Sequence, residues 1–168
     1  MMGEHQRPDW KCLMFKNTAR PKAYFTIWLM FNKKLATVDR LAKWGVESNK
    51  TCVLYKNADE TIEHMIIQRQ FARKLWERLF TWIHRHNDIL RTRGQFIQWG
   101  NKHGKGKTTT TQIFKIILVE GVYGVWIEQN IRIFEKKSKT EENVAKEIAY
   151  VTISRAPTSI KDVMEFKL

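Results

Sequence analysis

The chain has 168 residues, of which 43% are hydrophobic, with 7 Trp and 9 Phe; this composition excludes a disordered protein and suffices for a folded core. Lys and Arg number 30 against 17 Asp and Glu, and the resulting net charge of +13 favours contact with polyanions. The 2 cysteines, Cys12 and Cys52, are too few for a disulfide framework, so we expect both to be reduced in an intracellular protein.

Neither a targeting segment nor a membrane span is predicted. Residues 1–11 contain no apolar core of the kind that a signal peptide requires. The longest apolar run, residues 23–31, is shorter than the roughly 20 residues that cross a bilayer. We therefore expect one domain over residues 10–155, loosely ordered termini at 1–9 and 156–168, and no membrane partner.

The first predicted helices lie between residues 20 and 45. Pro21 suits the first turn of a helix over residues 22–32, and apolar residues on nearly all of its sides predict central burial. Thr37 is the expected N-cap of a second helix, with Trp44 facing inward. Gly45 fits the left-handed residue that ends such a helix.

The remaining elements are also helical. Residues 70–83 form an amphipathic pattern, with apolar side chains recurring at i+4 and cationic ones opposite. Within the long helix that follows, Gly121 and Gly124 would permit close approach of another helix. Thr140 is the expected cap of the last helix. Three further helices are predicted from apolar spacing: a short one within residues 87–107 that contains Phe96, Ile97 and Trp99, and longer ones over residues 108–134 and 141–153. The predicted fold is an all-α, compact orthogonal bundle of about five to seven helices with a long C-terminal helix.

Cys52 and His64 are residues of the types that zinc prefers. Tyr55 stands where the second cysteine of a C-x2-C pair would be, and Arg69 stands five residues after His64, at the fourth ligand position. Tyrosine is a poor ligand and arginine stays cationic, so neither completes a tetrahedral set. We therefore predict that zinc has been lost, with Cys52 a small buried hydrophobe and His64 a hydrogen-bonded structural histidine. The alternative is a metal site completed by Cys12 or by a nearby histidine.

No catalytic constellation is found in the sequence. The paired aspartates that hold the metal ions of a polymerase are absent, as is a Gly-x-Ser-x-Gly elbow. A P-loop does not fit either, because five residues separate Gly100 from Gly106 where the motif has four, and no strand pattern precedes them. We predict no enzyme activity and no small-molecule substrate.

Two lysine runs are the candidate phosphate contacts. The first lies in a glycine-containing loop before the longest helix, where free backbone N–H groups and the helix dipole attract anions. The second follows that helix. Ordinary solvation of surface lysines explains both runs equally well, and basic clusters also favour nuclear residence. The six candidates are Lys102, Lys105, Lys107, Lys136, Lys137 and Lys139.

The order of short motifs along the chain is specific. The chain carries Trp10-Lys11, Ala19-Arg20-Pro21-Lys22, Trp28-Leu29, Trp44-Gly45, Cys52, Glu60, Glu63-His64, Phe71-Ala72 and Trp76. In this order they resemble the zinc-binding domain of plant reverse transcriptases, which lies C-terminal to the polymerase in LINE-type non-LTR retrotransposons. Residues 122–130 further resemble the segment Y-x-x-W-x-E-R-N that often follows that domain, with Gln129 at the arginine position. The resemblance covers about residues 10–134.

The resemblance implies a retrotransposon-derived accessory domain that handles RNA or DNA through its basic surface. It places the zinc ligands at positions 52, 55, 64 and 69, of which two are replaced. Two alternatives remain open. The first is a helical protein-interaction module that docks a partner helix on the Gly121 and Gly124 face or on an exposed part of the Trp-rich surface. The second is an inert retroelement remnant.

Overall fold

The computed structural model describes residues 8–46, 49–85 and 90–161. The all-α prediction is confirmed, because these residues form helices and no strand. A single antiparallel bridge joins Thr51 to Asp59. Two π-helical turns, His64–Gln68 and Ile131–Glu135, interrupt the α-helical pattern. The α-helices are α1 (Lys11–Met14), α2 (Pro21–Phe31), α3 (Val38–Lys43), α4 (Gln70–Trp82), α5 (Arg93–Gly104), α6 (Thr109–Asn130), α7 (Glu141–Arg155) and α8 (Thr158–Lys161).

Helix α6 is the centre of the bundle. It packs against α2, α4, α5 and α7, and apolar residues on most of its sides are buried. The segment Thr109–Glu135 is long and apolar enough, by length and composition, to cross a membrane. Within the fold, however, 67% of its apolar window is buried, which is the pattern of a core helix.

The two glycines of α6 allow the close approach that the sequence predicts. A Cβ atom at Gly121 would lie 2.3 Å from Cζ3 of Trp76, and one at Gly124 would lie 2.9 Å from Cδ1 of Ile148. These neighbours belong to α4 and α7 of the same chain. The glycine face is therefore filled from within and does not dock a partner helix, whereas docking on an exposed part of the Trp-rich surface stays a prediction.

Two of the predicted burial patterns are also wrong. Helix α2 buries one face, which includes Ile27, while Phe25 is 60% exposed. Trp44 is 56% exposed. Surface neighbours cover part of each ring: Phe25 stacks on Trp28 at 6.0 Å between centroids, and the Arg40 guanidinium lies 4.4 Å from the Trp44 ring. Aromatic rings can thus be accommodated outside the core, and counting them overestimated the width of the buried face.

The predicted helix ends are mostly confirmed. Thr140 caps α7 by accepting a hydrogen bond from the N–H of Asn143 at 3.2 Å, and Gly45 has φ of +73°. Thr37 occupies the N-cap position of α3, but its hydroxyl donates to the Asp39 carboxylate. It therefore caps no backbone N–H there.

We expect Gly121→Ala to destabilise the fold by about 1–3 kcal/mol through overpacking, which lowers Tm by about 3–10 °C. The Trp76 ring cannot easily retreat, because its Nε1–H donates to the Ile66 carbonyl at 2.8 Å. Thermal unfolding followed by circular dichroism measures the effect. Gly94→Ala in α5 is the matched control, since the nearest atom to its Cβ would be 3.9 Å away. Equal Tm values for the two variants would contradict this packing.

Candidate functional site

A tight loop delivers Cys52 to the interior. The bridge between Thr51 and Asp59 closes it, and the N–H of Cys52 donates to the Ala58 carbonyl at 2.9 Å. Inside the loop, the N–H of Tyr55 returns to the Cys52 carbonyl at 3.2 Å. Cys52 is fully buried, as expected of a small hydrophobe, while Tyr55 is 48% exposed.

The first π-helical turn brings the other two positions to this loop. Thr61 lies just before the turn, and its hydroxyl accepts from the N–H of His64 at 3.0 Å. At the other end, the N–H of Arg69 donates to the His64 carbonyl at 2.9 Å. The His64 ring lies 5.9 Å from the Tyr55 ring, measured between centroids. The four positions named by the resemblance therefore come together, although only two of them carry zinc-ligand residues.

Arg69 is the residue at this site whose role the sequence did not predict. It is only 5% exposed, and its Nη1–H donates to Oε1 of Gln129 in α6. The Gln129 amide in turn donates to Oε2 of the buried Glu60 at 2.6 Å. Burial lowers the pKa of Arg69, whereas the neighbouring Cys52 and Glu60 raise it. The guanidinium thus lies between Cys52 and a glutamine–glutamate relay.

His64 differs in one respect from the hydrogen-bonded histidine expected from the sequence. Its Nε2 atom is buried and has no hydrogen-bond partner within the described ranges 8–46, 49–85 and 90–161. Burial lowers the pKa of His64, and the nearby Arg69 charge lowers it further. The imidazole is therefore neutral near pH 7. The Nε and Nη2 atoms of Arg69 likewise meet no conventional acceptor in the described part of the chain.

These residues do not fit a structural zinc ion. Such an ion takes four Cys or His ligands, and this site offers one thiol and one imidazole. The guanidinium of Arg69 is itself a cation and repels a second one at close range. In the described residues, no group of three or more His, Cys, Asp or Glu side chains comes together to hold a metal.

The two lysine runs lie at opposite ends of α6. That helix has 22 residues, so about 33 Å separates its ends. Lys102 lies in the last turn of α5 rather than in a loop, Lys105 follows α5, and Lys107 precedes the Thr108 cap of α6. The second run, Lys136–Lys139, follows the Ile131–Glu135 turn. All six candidate lysines are exposed, but they form two surfaces rather than one.

The two runs differ in how their charges are paired. Lys139 pairs with Glu147 at 2.6 Å, and Lys137 lies 3.8 Å from Glu135. Over the described parts of the chain, no ion pair involves a lysine of the first run. Arg85, which the sequence analysis did not include, extends the first surface, since its Nη1 lies 3.4 Å from Nδ1 of His103 in α5. The only sequence signal for Arg85 is its position just after the end of α4.

We expect Gln129→Met to destabilise the fold by about 2–4 kcal/mol, because Arg69 and Glu60 then lose their shared partner in the interior. Urea unfolding followed by circular dichroism gives the free energy. Gln98→Met, at an exposed position of α5, is the control for the loss of an amide and should change the free energy by less than about 0.5 kcal/mol. Similar losses in both variants would show that the relay stabilises nothing.

Comparison with known proteins identifies the N-terminal part of the chain. Residues 1–76 match the family model described as zinc-binding in reverse transcriptase. The match contains positions 52, 55, 64 and 69, and it ends at Trp76 in α4. No curated protein and no solved structure matches the chain. The motif order and the convergence of these four positions agree with the match, so residues 1–76 are similar to the zinc-binding domain of reverse transcriptases.

Proposed function

We propose that the chain is a non-catalytic accessory domain of retrotransposon origin that binds RNA or DNA through its basic surface and no longer holds zinc. The family match supports the origin, since this domain accompanies a reverse transcriptase and is not itself the catalytic unit. The replaced ligands at positions 55 and 69 support the loss of zinc. Residence in the nucleus follows as part of the proposal, because that is where genomic targets lie.

The observation that carries nucleic-acid binding is the surface formed by Lys102, Lys105 and Lys107. These side chains are exposed, and within residues 8–46, 49–85 and 90–161 none pairs with a carboxylate. They stand beside the N-terminus of α6, whose dipole also favours a phosphate. Each phosphate that they neutralise releases counterions, which makes binding favourable at low salt.

The second lysine run contributes less in this account. Lys137 and Lys139 already have glutamate partners, so a phosphate must compete with Glu135 and Glu147. The distance along α6 also places this run on a separate surface. We therefore assign the main phosphate contacts to the first run and secondary ones to Lys136, Lys137 and Lys139.

We expect the variant Lys102→Gln/Lys105→Gln/Lys107→Gln to bind a fluorescent 20-nucleotide duplex at least about tenfold more weakly in 50 mM salt. The slope of log K against log salt should fall in magnitude by about 2–3, since about 0.9 is lost per phosphate contact. Fluorescence anisotropy measured between 50 and 200 mM salt gives both quantities, and a single-stranded RNA of the same length compares the two kinds of nucleic acid.

The variant Lys136→Gln/Lys137→Gln/Lys139→Gln is the matched control, because it removes the same charge from the other end of α6. Its loss of affinity should be clearly smaller. Equal losses would mean that net charge alone drives binding, and no binding by the unmodified protein at 50 mM salt would contradict the proposed function. A protein partner recognised through apolar contacts would instead show little dependence on salt.

A further inference from the structure

We infer that the guanidinium of Arg69 takes the structural place of a zinc ion, so that a cation supplied by the chain joins the Cys52 loop to Gln129 of α6 and, through Gln129, to Glu60. The inference rests on the proposed loss of zinc. It goes beyond that loss, because a vanished metal site could equally have been left open or filled by apolar side chains.

The first argument is the burial of Arg69. An arginine is rarely as little as 5% exposed unless its charge is compensated. Arg73, one turn further along α4, is exposed in the ordinary way. The backbone of Arg69 is held by its bond to the His64 carbonyl, and its guanidinium lies beside the Cys52 sulfur. Its charge therefore lies among the side chains at the family's ligand positions.

The second argument is what the guanidinium connects. Through Gln129 it reaches α6, and through Gln129 and Glu60 it reaches the chain around α3. Glu60 is anchored there by three contacts, since its N–H donates to Lys50 O at 2.9 Å, its carboxylate accepts from Val38 N at 3.4 Å, and its carbonyl accepts from Asp39 N at 3.4 Å. A structural metal ion stabilises a fold in the same manner, by tying distant segments to one centre.

The third argument is the position of Gln129 between the two charges. Its side chain accepts a hydrogen bond from Arg69 and donates one to Glu60. A guanidinium placed at position 129 would therefore lie directly against the buried carboxylate of Glu60.

The test compares metal content and Tm in four proteins: the unmodified chain, Arg69→Met, the exposed control Arg73→Met, and the triple variant Tyr55→Cys/Arg69→Cys/Gln129→Arg. Elemental mass spectrometry gives zinc per chain, and thermal unfolding is run with and without a chelator. Arg69→Met preserves the volume and removes the charge. It should lower Tm by about 3–10 °C, whereas Arg73→Met should leave Tm within about 2 °C.

The triple variant supplies thiols at positions 55 and 69 and places at position 129 the cation that it removes from position 69. It should bind one zinc per chain and lose Tm when the chelator is added, while the unmodified chain binds none and is insensitive to the chelator. Stoichiometric zinc in the unmodified chain would contradict the proposed loss of metal. A zinc-free unmodified chain that matches Arg69→Met in Tm would contradict the inference alone. A triple variant that binds no zinc, or that fails to fold even with zinc supplied, would also overturn it.

Discussion

A buried guanidinium is the constraint around which the N-terminal half of this protein is arranged. Removing a charge from water costs several kcal/mol unless hydrogen bonds and an opposite charge replace the lost hydration. Arg69 obtains this compensation from Cys52, Gln129 and, through Gln129, Glu60. These partners come from segments that are far apart in sequence, so Arg69 has all of them only when the loop, the π-helical turn and α6 are in place. In the described part of the chain its Nε and Nη2 atoms have no further acceptor. The charge therefore enforces a specific arrangement.

The rest of the bundle provides a framework in which a metal is dispensable. The Trp76 ring packs directly on Gly121, and the buried Glu120 of α6 forms a two-pronged ion pair with Arg20, with nitrogen–oxygen distances of 2.9 and 2.7 Å. This pair joins the start of α2 to the central helix. A domain with such a core can lose zinc and remain folded. A small zinc-finger domain cannot, because its folding free energy comes mainly from metal binding. What the site must then supply is local order between residues 50 and 70.

The sequence was most informative where one physical signal decides the structure. The i+4 apolar pattern predicted α4, the helical spacing predicted the buried α6, and a threonine at an N-cap position predicted the start of α7. It was less informative for α2 and α3, because aromatic residues such as Phe25 and Trp44 can lie at the surface against a neighbouring ring or guanidinium. Hydrophobicity alone does not say which rings are left outside the core.

The candidate site shows a different limit. Family positions predicted that residues 52, 55, 64 and 69 converge, but Arg69 was read only as a missing ligand. Its partner Gln129 is 60 residues away, and no local pattern connects them. The most direct measurement is X-ray diffraction at the zinc absorption edge from crystals grown with zinc. The account predicts no anomalous peak between residues 52 and 69, with guanidinium density against Cys52 and Gln129. A peak at that position, with the Arg69 side chain displaced from it, would contradict the account.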